Sequence, residues 1–249
     1  MILNEGLIHC IDFSTAADPI ARATLIQTLF VFISIVCAYL LGSINSAIIV
    51  SRVLYKDDIR KHGSGNAGLT NTLRTYGKRA AILTLIGDMT KTAISILIAG
   101  LLLGMNYKFG MSYNEGWCYL AALASVIGHI FPIYYGFKGG KGVLSTATAA
   151  LILTPVIFLI LLAVFVAVVA MSKYVSLGSV SVAVLYPVAV SAQIKLCFTA
   201  MHGLMAISVI ALAIIIVWCH RGNLKRISDR TERKLSFKKK DVEINKENQ

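Results

Sequence analysis

The sequence predicts an all-α integral membrane protein, a seven-transmembrane-helix bundle in which one helix is short or broken. Three observations carry this. The chain has 249 residues, of which 57% are hydrophobic and only 14% charged, whereas soluble domains carry about a quarter charged residues. Apolar runs occupy 24–54, 80–103, 117–135, 143–172, 174–192 and 200–219, to be judged against the ~20 residues that cross a hydrocarbon core. The lysines and arginines lie between these runs, apart from Lys91 and those at their edges.

The elements follow in order. Residues 1–23 carry Glu5, Asp12 and Asp18 against the single Arg22, without the basic start or cleavage site of a signal peptide, and read as an extracytoplasmic lead-in. The run 24–54 is the first span, followed by a polar loop over 55–79. The second span holds Asp88 and Lys91, three residues apart and therefore on one helix face. Intramembrane charges are costly and usually functional; the alternative is a self-neutralising pair that orients the helix, and Asp88 positioning the site loops fits both. The run 143–172 is too long for one span and has Thr154-Pro155 in its middle, where a helix breaks. Split there, the runs total seven.

Parity then decides sidedness. With seven spans, the 55–79 loop, the 136–142 loop, the Lys173 turn and the C-terminal tail share one side. That side holds every one of the 24 lysines and arginines except Arg22, Lys91, Lys108 and Lys195. The positive-inside rule makes it cytoplasmic, with the N-terminus outside and the C-terminus cytoplasmic. The organisation is a lead-in over 1–23, a multi-span membrane domain over 24–227 and a polar basic cytoplasmic tail over 228–249.

The net charge of +12 belongs to loops and tail, where orientation and anionic lipid explain it better than nucleic acid does. The five cysteines (Cys10, Cys37, Cys118, Cys197, Cys219) form no C-x-x-C pair, so neither a disulfide framework nor a metal site is expected, and no cofactor is implied. His9 and His202 have no chemical context and read as structural.

The chemistry lies in short blocks that combine glycine with basic residues. The first runs from Asp57 to Arg74 and contains Gly63-Ser64-Gly65-Asn66-Ala67-Gly68. Glycine lets backbone N–H groups approach an oxyanion, Ser64, Thr70 and Asn71 can bond phosphate oxygens or hydroxyls, and Arg74 can grip a phosphate bidentately. A solvated loop before an N-capped helix is the bland alternative. The block is not a Walker A loop, because Leu69-Thr70 follows Gly68. The next block, Gly136-Phe137-Lys138-Gly139-Gly140-Lys141-Gly142, sets two lysines among glycines before a helix starting at Val143, which favours an anion there. His129, just before it, serves equally as a structural histidine or a substrate contact. The last block, His220-Arg221-Gly222-Asn223-Leu224-Lys225-Arg226, places His220 and Asn223 on one face if the final helix continues. The expected binding set is Ser64, Gly65, Asn66, Gly68, Thr70, Asn71 and Arg74, then Lys138, Gly139, Gly140, Lys141 and Gly142, then His220 and Asn223. Arg74, Lys138, His220 and Asn223 are its expected catalytic members.

These motifs in this order (G-S-I, H-G-S-G-N-x-G-x-T-N-x-x-R, G-D-x-x-K, G-H-x-F-P, F-K-G-G-K-G and H-R-x-N-x-x-R) resemble the bacterial membrane acyl-phosphate:glycerol-3-phosphate acyltransferases, the PlsY family, over about residues 35–232. The resemblance implies a seven-helix inner-membrane enzyme with a cytoplasmic active site. It implies transfer of a fatty acyl group from acyl phosphate to the 1-hydroxyl of glycerol 3-phosphate, giving lysophosphatidic acid and phosphate, the first acylation in bacterial phospholipid synthesis. By motif match, Ser64, Asn71, Arg74, Lys138, Lys141, His220 and Asn223 line the site. The glycine blocks and lysines then hold the acyl phosphate, and Arg74, His220 and Asn223 orient glycerol 3-phosphate; the base is His220 or a substrate phosphate oxygen. Acyl phosphate is a mixed anhydride with a good leaving group, so proximity and charge stabilisation serve in place of a covalent nucleophile. In keeping with this, the chain has no G-x-S-x-G elbow, and no histidine has an aspartate five residues later. Gly222 stands where the family usually has Glu, and Asn45 where Pro or Thr is common.

The rival reading is a membrane transporter or channel for phosphate or an organic anion. It requires polar groups on both faces, whereas the motifs here gather on one.

Overall fold

The computed structural model of the chain describes residues 19–104, 106–108, 111–113, 116–196 and 202–235. Most of the lead-in, residues 236–249 of the tail, and His9, Cys10 and Cys197 lie outside the described residues. The helices are α1 (Pro19–Gly42), α2 (Ser46–Tyr55), α3 (Leu69–Tyr76), α4 (Lys78–Leu103), α5 (Gly116–Ile130), α6 (Val143–Leu153), α7 (Pro155–Ser172), α8 (Val175–Leu196) and α9 (His202–Ser228). An antiparallel ribbon, Asn106–Lys108 with Met111–Tyr113, joins α4 to α5 and is an addition to the all-α expectation.

Two expected runs divide, each for a local reason. The run 24–54 breaks at Ser43-Ile44-Asn45, because the Asn45 side chain accepts the Ile48 N–H at 3.1 Å and starts a new helix. The run 143–172 breaks at Thr154, with Pro155 opening α7 where its missing N–H costs nothing. Among the described residues, six helical stretches are long and apolar enough to cross a membrane, α1 and α2 together counting as one. At 11 residues, α6 extends only about 16 Å, roughly half of a ~30 Å hydrocarbon core.

Small residues bring the central helices together. A Cβ on Gly42 of α1 would stand 2.1 Å from the Ser125 carbonyl oxygen, and one on Gly128 of α5 would stand 2.3 Å from that of Tyr39. With Ala38, Ala121 and Ala122 fully buried beside them, the two backbones approach as only a small-residue interface permits. Around this pair, α4 packs on α1, α5 and α6, α9 on α5 and α8, and α7 on α6 and α8.

The connections gather at one end of the bundle. Arg60 donates to the carbonyls of Tyr135 (2.9 Å) and Lys138 (3.3 Å), binding the 55–68 loop to the 136–142 loop. The Leu235 N–H donates to the Lys173 carbonyl at 2.7 Å, which brings the α7–α8 turn and the residues after α9 to the same place. The two loops, the Lys173 turn and the end of α9 are thus co-facial.

Candidate active site

A cavity of about 720 Å³ opens among these connections. Its mouth is polar, with walls from the loops, α3 and the end of α9. Its deep arm is apolar, walled by Phe158, Leu161 and Phe165 of α7 and by Val182 and Tyr186 of α8. Leu151 of α6 and Leu162 of α7 line this arm and are 37% and 43% exposed.

Most of the expected residues meet here. Ser64, Asn66, Gly68, Thr70, Asn71 and Arg74 line the cavity from the first block. Lys141 and Gly142 do so from the second, and His220 and Asn223 from α9, which continues past the apolar run to Ser228 and carries both on adjacent turns. Gly65, Lys138, Gly139 and Gly140 do not line it.

Those four need correction, each for a physical reason. The Lys138 side chain is exposed, and its carbonyl serves the Arg60 staple. The N–H groups of Gly139 and Gly140 donate to the carbonyls of Ile130 and His129 at 3.1 and 3.0 Å, so they are committed within the protein. Gly140 is required by close approach, since a Cβ there would lie 2.0 Å from His129 Nε2 and 2.8 Å from the Ala67 carbonyl. The Gly65 N–H likewise donates to the His62 carbonyl at 2.9 Å.

Asn71 lines the cavity but spends its side chain on the loop. Its Oδ1 accepts the Ser64 N–H at 3.0 Å, and its Nδ2 donates to the carbonyls of His62 (2.9 Å) and Ile59 (3.3 Å). An amide offers two donors and one oxygen, so Asn71 acts as the brace that shapes the turn. Asp58 anchors the other side: the Arg60 guanidinium at 2.6 Å holds its carboxyl well below the usual range, against the opposing effect of burial.

The mouth contains a network that crosses elements. Lys141 Nζ donates to Asn223 Oδ1. Asn223 Nδ2 donates to Ser176 Oγ (2.8 Å) and to Glu232 Oε1 (2.6 Å). Ser176 Oγ donates to Glu232 Oε1 at 2.7 Å, and Arg226 Nε to Glu232 Oε2 at 2.7 Å. Burial alone would raise the Glu232 pKa; the bonds from Asn223, Ser176 and Arg226 outweigh it and hold the pKa below the usual glutamate range. Burial pushes the Lys141 pKa down, with Glu232 opposing and Arg226 adding to the shift. His220 Nδ1 lies 2.8 Å from the Ile216 carbonyl, which can only accept. The proton is therefore on Nδ1, and Nε2 carries the lone pair. Ser176 and Glu232 escaped the sequence reading because their roles arise only when the residues after α9 fold back over the mouth.

The chain has known relatives. A family model described as glycerol-3-phosphate acyltransferase matches residues 32–230. The chain belongs to the glycerol-3-phosphate acyltransferase family. It is 40% identical over 213 residues to the glycerol-3-phosphate acyltransferase of Clostridioides difficile (strain 630), covering 84% of this chain and 97% of that one. It is 38% identical over 205 residues to that of Syntrophomonas wolfei subsp. wolfei, covering 82% and 96%. Among solved structures it is similar to the crystal structure of PlsY (YgiH), an integral membrane glycerol 3-phosphate acyltransferase, in its glycerol 3-phosphate form. There the TM-score is 0.73 at 28% identity, over 83% of this chain and 96% of that one. The lysophosphatidic acid form of PlsY matches with a TM-score of 0.70 at 27% identity, over 83% and 95%.

In this member of the glycerol-3-phosphate acyltransferase family, the intramembrane charges form a centre beneath the loops, where Asp88 and His129 line the floor of the cavity. Lys91 Nζ stands 2.9 Å from Asp88 Oδ1, 2.8 Å from the Ile44 carbonyl and 2.9 Å from His129 Nδ1. The centre joins the α1–α2 break, α4 and α5, and His129 lies directly under Gly140.

Proposed function

We propose that the chain transfers a fatty acyl group from acyl phosphate to the 1-hydroxyl of glycerol 3-phosphate at this cavity, giving 1-acyl-glycerol 3-phosphate and phosphate. The observation that carries the reading is a single cavity with a cationic mouth and an apolar arm, which suits a substrate with a phosphate head and a fatty chain. Arg74 and Lys141 supply charge to the phosphates, while Thr70 and the N-terminal N–H groups of α3 and α6 add donors.

His220 Nε2 orients the attacking hydroxyl, and the Asn223 amide holds Lys141 beside it. A bond forms between that oxygen and the acyl carbon, the bond from the acyl carbon to the phosphate oxygen breaks, and the phosphate leaves with the electron pair. The hydroxyl proton passes to His220 Nε2 or to a phosphate oxygen, and the pH profile of His220→Asn distinguishes the two routes. The membrane domain spans 24–227 in seven passes, with α6 as the short one, in the bacterial inner membrane. The positive-inside rule sets the cavity mouth toward the cytoplasm.

The test is phosphate release by detergent-purified protein given palmitoyl phosphate, with and without glycerol 3-phosphate. Release that requires glycerol 3-phosphate, yields lysophosphatidic acid and collapses in Arg74→Ala supports the reading. Folded protein with no turnover overturns it.

A further inference from the structure

Four cations line the cavity mouth: Arg74, Lys141, Arg226 and Arg233. Arg226 is paired with Glu232 at 2.7 Å, and Lys141 spends one of its three donors on the neutral Asn223 amide oxygen. Among the described residues, Arg74 and Arg233 are in no ion pair. Arg74 makes one long bond, 3.5 Å from its Nη2 to the Arg233 backbone carbonyl, which brings its guanidinium beside that segment. Burial first and then the Arg233 charge push the Arg74 pKa down, with Glu232 opposing.

The backbone that carries Arg233 is held on both sides. Glu232 is bound by Ser176, Asn223 and Arg226, and the Leu235 N–H donates to the Lys173 carbonyl at 2.7 Å. Glu232 is already occupied, and Asp88 is balanced by Lys91. The mouth thus holds excess positive charge, part of it on the Arg74 and Arg233 guanidinium groups, the group type that grips a phosphate bidentately.

We propose that Arg233 is a second phosphate ligand, acting with Arg74 to bind the phosphate dianion of a substrate. It lies beyond the motifs of the sequence and reaches the site only because the residues after α9 strap across the mouth. The identity of the substrate rests on the acyl-transfer reading, whereas the binding of phosphate does not.

The experiment compares purified wild-type protein with Arg233→Gln, Arg233→Lys and Lys225→Gln, the last an exposed lysine outside the cavity. Two readouts are taken: stabilisation against heat by inorganic phosphate, and KM and kcat for glycerol 3-phosphate and for palmitoyl phosphate. In Arg233→Gln, phosphate stabilisation falls and one KM rises about 10-fold or more, as loss of a charged hydrogen bond predicts, while kcat stays within about twofold. Arg233→Lys restores part of both, and Lys225→Gln matches wild type. A rise confined to glycerol 3-phosphate assigns the acceptor's phosphate; one confined to palmitoyl phosphate assigns the donor's.

The proposal is overturned if Arg233→Gln leaves phosphate stabilisation and both KM values unchanged. A loss of kcat alone, or an equal effect from Lys225→Gln, also overturns it. Arg233-dependent phosphate stabilisation in a wild-type protein that does not turn over upholds this site and overturns the acyl-transfer reading instead.

Discussion

Asn223 Nδ2 donates to Glu232 Oε1 at 2.6 Å, so a residue on the last helix is held by one that lies beyond that helix. The same amide presents its oxygen to Lys141. Glu232 thereby sets the orientation in which Asn223 meets Lys141, and Glu232→Ala is expected to lower kcat/KM about tenfold or more, the scale of a lost charged hydrogen bond. Glu232→Gln keeps an acceptor and loses less. Steady-state kinetics on the two variants check the ranking.

The lowered Glu232 pKa also fixes a pH dependence. A carboxylate depressed in the fold stabilises above its unfolded pKa, about 4.3 for glutamate, and loses that contribution as pH falls through the folded value. The stability gap between wild type and Glu232→Gln should be flat from neutral pH down to that range and close only below it. Thermal unfolding across an acid series measures this; a gap that closes near pH 6 contradicts it.

Lys141 and Lys138, alike in sequence, should differ in function. Lys138→Ala is expected to keep activity within about threefold, since its side chain is exposed outside the cavity, whereas Lys141→Ala loses most of it. Burial lowers the Lys141 pKa, so kcat/KM should decline on the alkaline side at lower pH than an ordinary lysine dictates. Lys141→Arg, always charged, should remove that limb from the pH profile.

Asn71→Ala removes the three hydrogen bonds that shape the first loop from a site that is 3% exposed. A buried donor or acceptor left unpaired costs about 1–3 kcal/mol. The expected result is a lower melting temperature together with lost activity, and saturating substrate should not restore kcat.

Gly140→Ala drives a methyl group into His129 Nε2 and the Ala67 carbonyl. Overpacking of this kind costs about 1–3 kcal/mol or more, and because His129 also bonds Lys91, the strain reaches the buried charge centre. Circular dichroism and activity of the variant, compared with Gly203→Ala, where a Cβ meets nothing within 4 Å, test whether the loss is local to this contact.

Much of the fold was legible because the local rules behind it are strong. Pro155 cannot continue α6, and the charge distribution brings the loops to one end. The Asn45 break was missed because a side-chain cap inside an apolar run gives no hydropathy signal. In the site, residue type showed what each group could bond but not what it does bond. Asn71 and Gly139 were read as ligands, yet their groups are committed to neighbouring chain, and Glu232 was overlooked because its partners are brought to it by the fold.

Leu151 and Leu162 border the cavity and are partly exposed. Under the proposed reaction, a one-chain amphiphile formed inside can slip sideways into the surrounding leaflet with its tail never crossing water. Its release is then a matter of two-dimensional partitioning, governed by the fluidity and packing of nearby lipids, and it leaves the aqueous mouth free for the polar acceptor and for departing phosphate.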